Sequence, residues 1–325
     1  MNGRLEKEIQ AKKTMSKKLS SLPDVFTEFY DYLDAEGKSY TTLNNYISHN
    51  IDFMNYVNDN YPEGTFYAGI KPSHVNKYMA SIRHKESGDD VIRLGDEIRA
   101  SRWTSLNNFF KFLKDNDYID ENPLDKTNRP KIKTEHEVTY LNKREINSTL
   151  NTIRKTASSK RVVRDLCLVS LALSTGLRVS AITQINVDDI DLENNVIKVI
   201  EKGDKIRYID FGEKLKKLIE DCIKDREVSF NNVDTDALFV SQWGRRMTTQ
   251  AVRDLVKKYT SNVKGKHITP HKLRASAAMN LYGSGVDILT IASILGHENV
   301  TTTQRYTQAY DSKKKDATKI LDNLI

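Results

Sequence analysis

Apolar residues recur every three or four positions along the first third of the chain, the spacing that gathers them on one face of a helix. From Pro23 to Glu36 the stripe is Val25, Phe26, Phe29, Tyr32 and Leu33, and Gly37 is placed to end the helix. Ser39 opens the next, whose face uses Leu43, Tyr46, Ile47, Ile51, Phe53, Met54 and Val57. The same rhythm predicts helices from Ser73 to Arg83 and from Asp96 to Lys114, the latter carrying Ile98, Trp103, Leu106, Phe109, Phe110 and Leu113. Together these make a small all-helical domain over 21–122, preceded by a basic, mobile start at 1–20.

The pattern stops between Asn122 and Val138, where Pro123 and Pro130 sit among Lys, Arg, Asn and Thr, so 123–138 reads as an interdomain linker. Helical signal resumes near Asn142 and runs through the apolar segment Leu166 to Leu173, with Gly176 placed to terminate it. Then the period changes to two. DIDL and VIKVI flank Glu193-Asn194-Asn195, and VIKVIEK and KIRYIDF flank Gly203-Asp204, which predicts two successive hairpins and a three-stranded antiparallel sheet. From Met247 the chain is helical again, with Thr248 or Thr249 and Asp287 as N-caps. The expected fold class is mainly α with a small antiparallel sheet: an all-helical first domain, then a mixed α+β domain over 139–325 with a tail from 311.

Composition narrows the partners. With 325 residues the chain is long enough for two domains that each bury a core without disulfides or metals. Lys plus Arg number 51 against 44 Asp plus Glu, a formal charge of +7, which favours a polyanion such as nucleic acid. Cys167 and Cys222 lie far apart in apolar or helical surroundings, as buried thiols of a reducing compartment do. The charged N-terminus has no apolar secretory stretch, and Leu166–Leu173 is too short to span a bilayer. A cytoplasmic protein with no membrane partner is expected.

Four short segments of the second domain concentrate chemistry-bearing residues. TGLRVSAI places Arg178 after a helix-ending glycine, and EKGDK places Lys202 at a hairpin tip. TPHKLR puts His271 and Arg274 three apart on one helix face. ILGHENVTTTQRYT sets His297 after Gly296 and Tyr306 nine residues on. Phosphodiester transfer needs a nucleophile, a clamp for the charge on the phosphorane, a base and an acid. Two arginines can bind the non-bridging oxygens bidentately, a histidine near Tyr306 can take its proton, and a hairpin lysine can protonate the leaving oxygen. No metal or other cofactor is then required. His267, His271 and His297 lack acidic or thiol companions at ligand spacing, so no zinc site is predicted. KTNRPKIK and SQWGRR are the better phosphate-contact stretches outside this set.

These motifs, in this order, resemble the tyrosine recombinase or phage integrase family, GSGVDILTIASILGHENVTTTQRYT most closely. The resemblance implies Arg178 and Arg274 as the two arginines, Lys202 as the hairpin lysine, His271 and His297 as the two histidines, and Tyr306 as the nucleophile. It implies a site-specific recombinase that cleaves and rejoins duplex DNA through a 3′-phosphotyrosine, without metal or ATP. The first domain would be the core-binding (SAM-like) DNA-binding domain, closing a C-shaped clamp with the catalytic domain. Four protomers would assemble on two specific DNA sites, with room for accessory proteins. The tail residues Ala317, Ile320, Leu321, Leu324 and Ile325 would dock on a neighbouring protomer. The pattern departs from the family at Ala181, where an acidic residue is usual, and at Ala275. The two-domain layout is similar to the Xer recombinases. The alternatives are DNA relaxation by a type IB topoisomerase-like enzyme and a non-catalytic sequence-specific DNA-binding protein.

Overall fold

A computed structural model of the chain describes residues 12–61, 67–87, 90–132, 138–201, 205–229, 236–296 and 303. It divides the chain into two units, Met1–Thr134 and Glu135–Ile325. In the first unit the predicted helices are α2 (Asp24–Ala35), α3 (Tyr40–Asn60), α4 (Pro72–Ser81) and α5 (Asp96–Asp115). Ser39 caps α3 by accepting from the amide of Thr42, and Gly37 adopts the left-handed conformation that turns the chain between α2 and α3. The stripes meet in an aromatic core. Phe109 stacks on Phe26 at 5.2 Å and meets Phe29 edge-on at 5.0 Å, while Phe53 packs edge-on against Tyr78 and Phe110. Asn50, fully buried on α3, donates to the carbonyls of Tyr46 and Ser105 and so ties α3 to α5 through a polar bond inside that core.

Three expectations for this unit change. The start expected to be mobile is helical over 12–19 (α1), because Met15 and Leu19, four apart, both bury in the aromatic core. The unit is also not all-helical: β1 (His84–Ser87) and β2 (Asp90–Arg93) pair as an antiparallel hairpin between α4 and α5. The charge run HKESGDD hides that hairpin, since it lacks the apolar alternation that marks a strand. Finally, the expected linker does not begin at Pro123. Asn122 caps a 3₁₀ turn over Pro123–Lys126, Leu124 buries in the first core, and the Trp103 indole donates to Thr127 at 2.9 Å.

The second unit builds α6 (Lys143–Thr156), α7 (Ser159–Thr175), α8 (Val179–Gln184), α9 (Glu213–Ser229), α10 (Thr249–Thr260), α11 (Pro270–Gly283) and α12 (Ile288–Leu295) around one sheet. The sheet is β3 (Ile190–Asp191), β4 (Val196–Ile200) and β5 (Ile206–Asp210), antiparallel in that order, with Ile200 opposite Ile206 at the turn end of the β4–β5 hairpin. Alternation sends Ile197, Val199 and Ile209 inward, into the same core as Cys167, Leu168, Leu171 and Ala172 of α7. Thr248 and Asp287 cap α10 and α12 as predicted. Both thiols are buried, and burial pushes that of Cys167 well above the usual range.

A charged network sits inside this core. The Arg164 guanidinium donates to Asp165 Oδ1 at 2.9 and 2.6 Å and to the carbonyl of Val240 at 2.8 Å, and Tyr259 Oη donates to Asp165 Oδ2 at 2.7 Å. Burial and the Asp165 bond together push the Tyr259 phenol up, so it stays a neutral donor. Tyr259→Phe deletes one donor and strands a carboxylate oxygen, and should destabilise the protein by ~1–3 kcal/mol. Urea unfolding of the two proteins measures this; an unchanged midpoint would show that the network contributes nothing at Tyr259.

Candidate active site

The chemistry-bearing segments come together where two helices end. α7 stops at Gly176, whose left-handed backbone turns the chain so that Leu177 buries and Arg178 becomes the N-cap of α8. α12 stops in the same way at Gly296. Between the two ends lies the first turn of α11, opened by Thr269, which accepts from the Lys272 amide, and by Pro270 at the first helical position. Arg274 projects just beyond this turn with 2% of its surface exposed. Its Nη1 donates to the carbonyl of Gly176 at 2.7 Å and its Nη2 to that of Leu295 at 2.7 Å. His271, one turn earlier on the same helix, is exposed.

Arg178 is about half exposed, and its Nη1 bonds Glu201 Oε1 at 3.3 Å. The same oxygen accepts from Arg207 Nη1 at 3.3 Å, and Arg207 Nη2 donates to the carbonyl of Ile294 at 2.8 Å. Gly296 lies directly against this pair. A Cβ there would overlap the Arg207 guanidinium and crowd Glu201, and its φ of +65° is itself one that favours glycine. The TGLR corner, the turn end of the β4–β5 hairpin, the HKLR turn and the ILG corner are thus linked by hydrogen bonds. Lys202, His297 and Tyr306 lie outside the described residues, as does the tail from 311. Lys202 follows Glu201 and His297 follows Gly296 directly in the chain. Thr303, from the Thr-rich stretch before Tyr306, is fully buried.

Ala181 and Ala275 are both buried methyl groups in the cores beside this region. Of the predicted phosphate-contact stretches, SQWGRR needs division. Arg246 is committed to the protein, donating to the carbonyls of Thr183 and Ile185 and to Asn186 Oδ1, whereas Trp243 and Arg245 stand exposed on the turn. Glu201 and Arg207 were not expected at the site. The signal available for them is positional only: Glu201 precedes the hairpin lysine, and Arg207 falls on an inward-facing strand position where an apolar residue would be usual. Among the described residues no group of three His, Cys, Asp or Glu could hold a metal ion, and no helix is long and apolar enough to cross a membrane.

The sequence profile of the phage integrase family matches residues 139–313. Tyrosine recombinase XerC of Caldanaerobacter subterraneus subsp. tengcongensis is 38% identical over 223 residues, 67% of this chain and 61% of that relative. Tyrosine recombinase XerD of Oceanobacillus iheyensis is 30% identical over 301 residues, 89% of this chain and 95% of the relative. In structure, the XerH site-specific recombinase bound to its palindromic difH substrate superposes with a TM-score of 0.69 at 21% identity, covering 89% of this chain and 82% of that one. A lambda integrase dimer on a core site gives 0.64 at 17% identity over 89% of this chain and 95% of that one, a likeness of fold. The chain belongs to the phage integrase family and is a tyrosine recombinase, an enzyme that cleaves and rejoins DNA.

Proposed function

We propose that the chain recombines specific DNA sites in the cytoplasm through a 3′-phosphotyrosine on Tyr306. The observation that carries this reading is the junction of Arg274 and Arg178: two guanidinium groups, from two motifs almost a hundred residues apart, flank the corner at Gly176. A pentacoordinate phosphorane gathers charge on its non-bridging oxygens, and a pair of planar, permanently charged forks suits that charge better than lysines would. The Tyr306 oxygen attacks phosphorus and the bond from phosphorus to the 5′ oxygen breaks. The Tyr306 proton passes to His271 or His297, and Lys202 gives a proton to the departing 5′ oxygen. Energy of the broken phosphodiester is kept in the phosphotyrosine, so religation by the reverse steps draws on neither ATP nor a divalent ion.

XerH is described in complex with its difH substrate and lambda integrase as a dimer on a core site, which supports duplex DNA as the partner here. The first unit then serves as the core-binding domain. Four protomers pair two sites, and the amphipathic tail residues Ala317, Ile320, Leu321, Leu324 and Ile325 join each protomer to a neighbour.

A nicked suicide substrate, which loses its short 5′ hydroxyl fragment after cleavage, should trap wild-type protein as a denaturation-resistant covalent complex. Tyr306→Phe should trap none while binding the same DNA with the same salt dependence. A covalent complex that survives in the Phe variant would move the nucleophile elsewhere, and failure of wild type on its verified site would remove the recombinase reading.

Lys202→Ala should slow cleavage of ordinary DNA by roughly 10²–10⁴-fold, the usual contribution of a positioned general acid. A bridging 5′ sulfur leaves without a proton, so a substrate carrying it should restore the variant to near the wild-type rate. Equal defects on the oxygen and sulfur substrates would reassign Lys202 to binding or structure.

A further inference from the structure

Glu201 stands at the turn end of the β4–β5 hairpin, one residue before Lys202, and its side chain is only 9% exposed. A single carboxylate oxygen, Oε1, accepts from two guanidinium groups on different elements, Arg178 at the N-cap of α8 and Arg207 on β5. Arg207 carries the connection further, to the carbonyl of Ile294 in the last turn of α12. Gly296, next in the chain after that helix, is packed so closely on Arg207 and Glu201 that a Cβ there would push the guanidinium aside. One carboxylate therefore joins three of the four chemistry-bearing segments.

Arg178 needs such a partner. Its side chain is 46% exposed, against 2% residue exposure for Arg274, and a long exposed side chain samples many rotamers unless something holds it. The Glu201 bond engages Nη1 and restrains the fork without occupying all five of its donors. Two cations against one anion leave the site net positive, as a phosphate requires. Position 181, where the family pattern usually has an acidic residue, holds a buried alanine.

Resting on the recombinase reading above, we propose that Glu201 is a positioning residue for strand cleavage. Its carboxylate, held in place by Arg207, orients Arg178 toward the scissile phosphate. The charge matters as well as the shape: Gln would offer Arg178 and Arg207 an uncharged oxygen and leave two cations facing each other.

The test is single-turnover cleavage of the nicked suicide substrate by the full chain, with wild type, Glu201→Gln, Glu201→Asp, Arg178→Lys and the Arg178→Lys/Glu201→Gln double variant. All are assayed below their unfolding midpoints and at saturating DNA. Glu201→Gln should cleave on the order of 10–100-fold more slowly, the scale of a misplaced catalytic group, with DNA affinity close to wild type. Glu201→Asp, which keeps the charge, should recover part of that loss. Because Glu201 acts through Arg178, the double variant should be no slower than Arg178→Lys alone. Multiplying defects in the double variant, or a wild-type rate for Glu201→Gln, would overturn the proposal while wild-type trapping keeps the recombinase reading intact. No trapping by wild type would remove both.

Discussion

Arg274 is buried between the ends of two helices, and its two terminal nitrogens each donate to a carbonyl that helix geometry would otherwise leave unpaired. Hydrogen bonds to charged groups contribute roughly 1.5–3 kcal/mol each, and the negative ends of α7 and α12 both favour a cation here. The interaction demands unusual backbone on both sides. Gly176 and Gly296 each turn left-handed to stop their helices, and Gly176 has no room for a side chain because Leu295 fills that space. Remove the guanidinium and two helix ends, one buried helix turn and the corner that aims Arg178 lose their common anchor.

From that anchor the rest of the site can be followed bond by bond. Leu295 leads to Gly296, Gly296 packs on Arg207, Arg207 and Arg178 share Glu201, and Arg178 returns through Leu177 to Gly176. The circuit passes through α7, α8, β4, β5, α11 and α12, so the sheet is part of the site although no proposed catalytic side chain sits in its strands. Such a closed circuit suits electrostatic catalysis, which depends on donors held in place before charge develops. The core below it is held by a separate buried network, Arg164, Asp165 and Tyr259, joining α7 to α10.

Much of this was legible in the sequence because it rests on local rules. Gly37 and Gly176 as helix stops, Ser39, Thr248 and Asp287 as caps, and the paired hairpins around Glu193-Asn194-Asn195 and Gly203-Asp204 all follow from short-range backbone preferences. The features that were not legible depend on distant partners. Met15 and Leu19 look like isolated apolar residues in a basic run until the aromatic core receives them. Arg246 looks like a phosphate ligand until the end of α8 claims its donors. Glu201 acquires its meaning only when Arg178, twenty-three residues earlier, and Arg207, on the facing strand, arrive at one oxygen.

The central claim is that one buried guanidinium serves both as anchor of the fold and as half of the phosphate clamp. The most direct measurement is the single-turnover cleavage rate of Arg274→Lys on a nicked suicide substrate at saturating DNA, below the unfolding midpoint of the variant. Lysine keeps the charge but has no planar fork to reach the Gly176 and Leu295 carbonyls together. Cleavage should fall by roughly 10²–10³-fold, the loss typical of removing one preorganised transition-state donor, while the DNA remains bound. A lysine variant that cleaves at the wild-type rate would contradict the account.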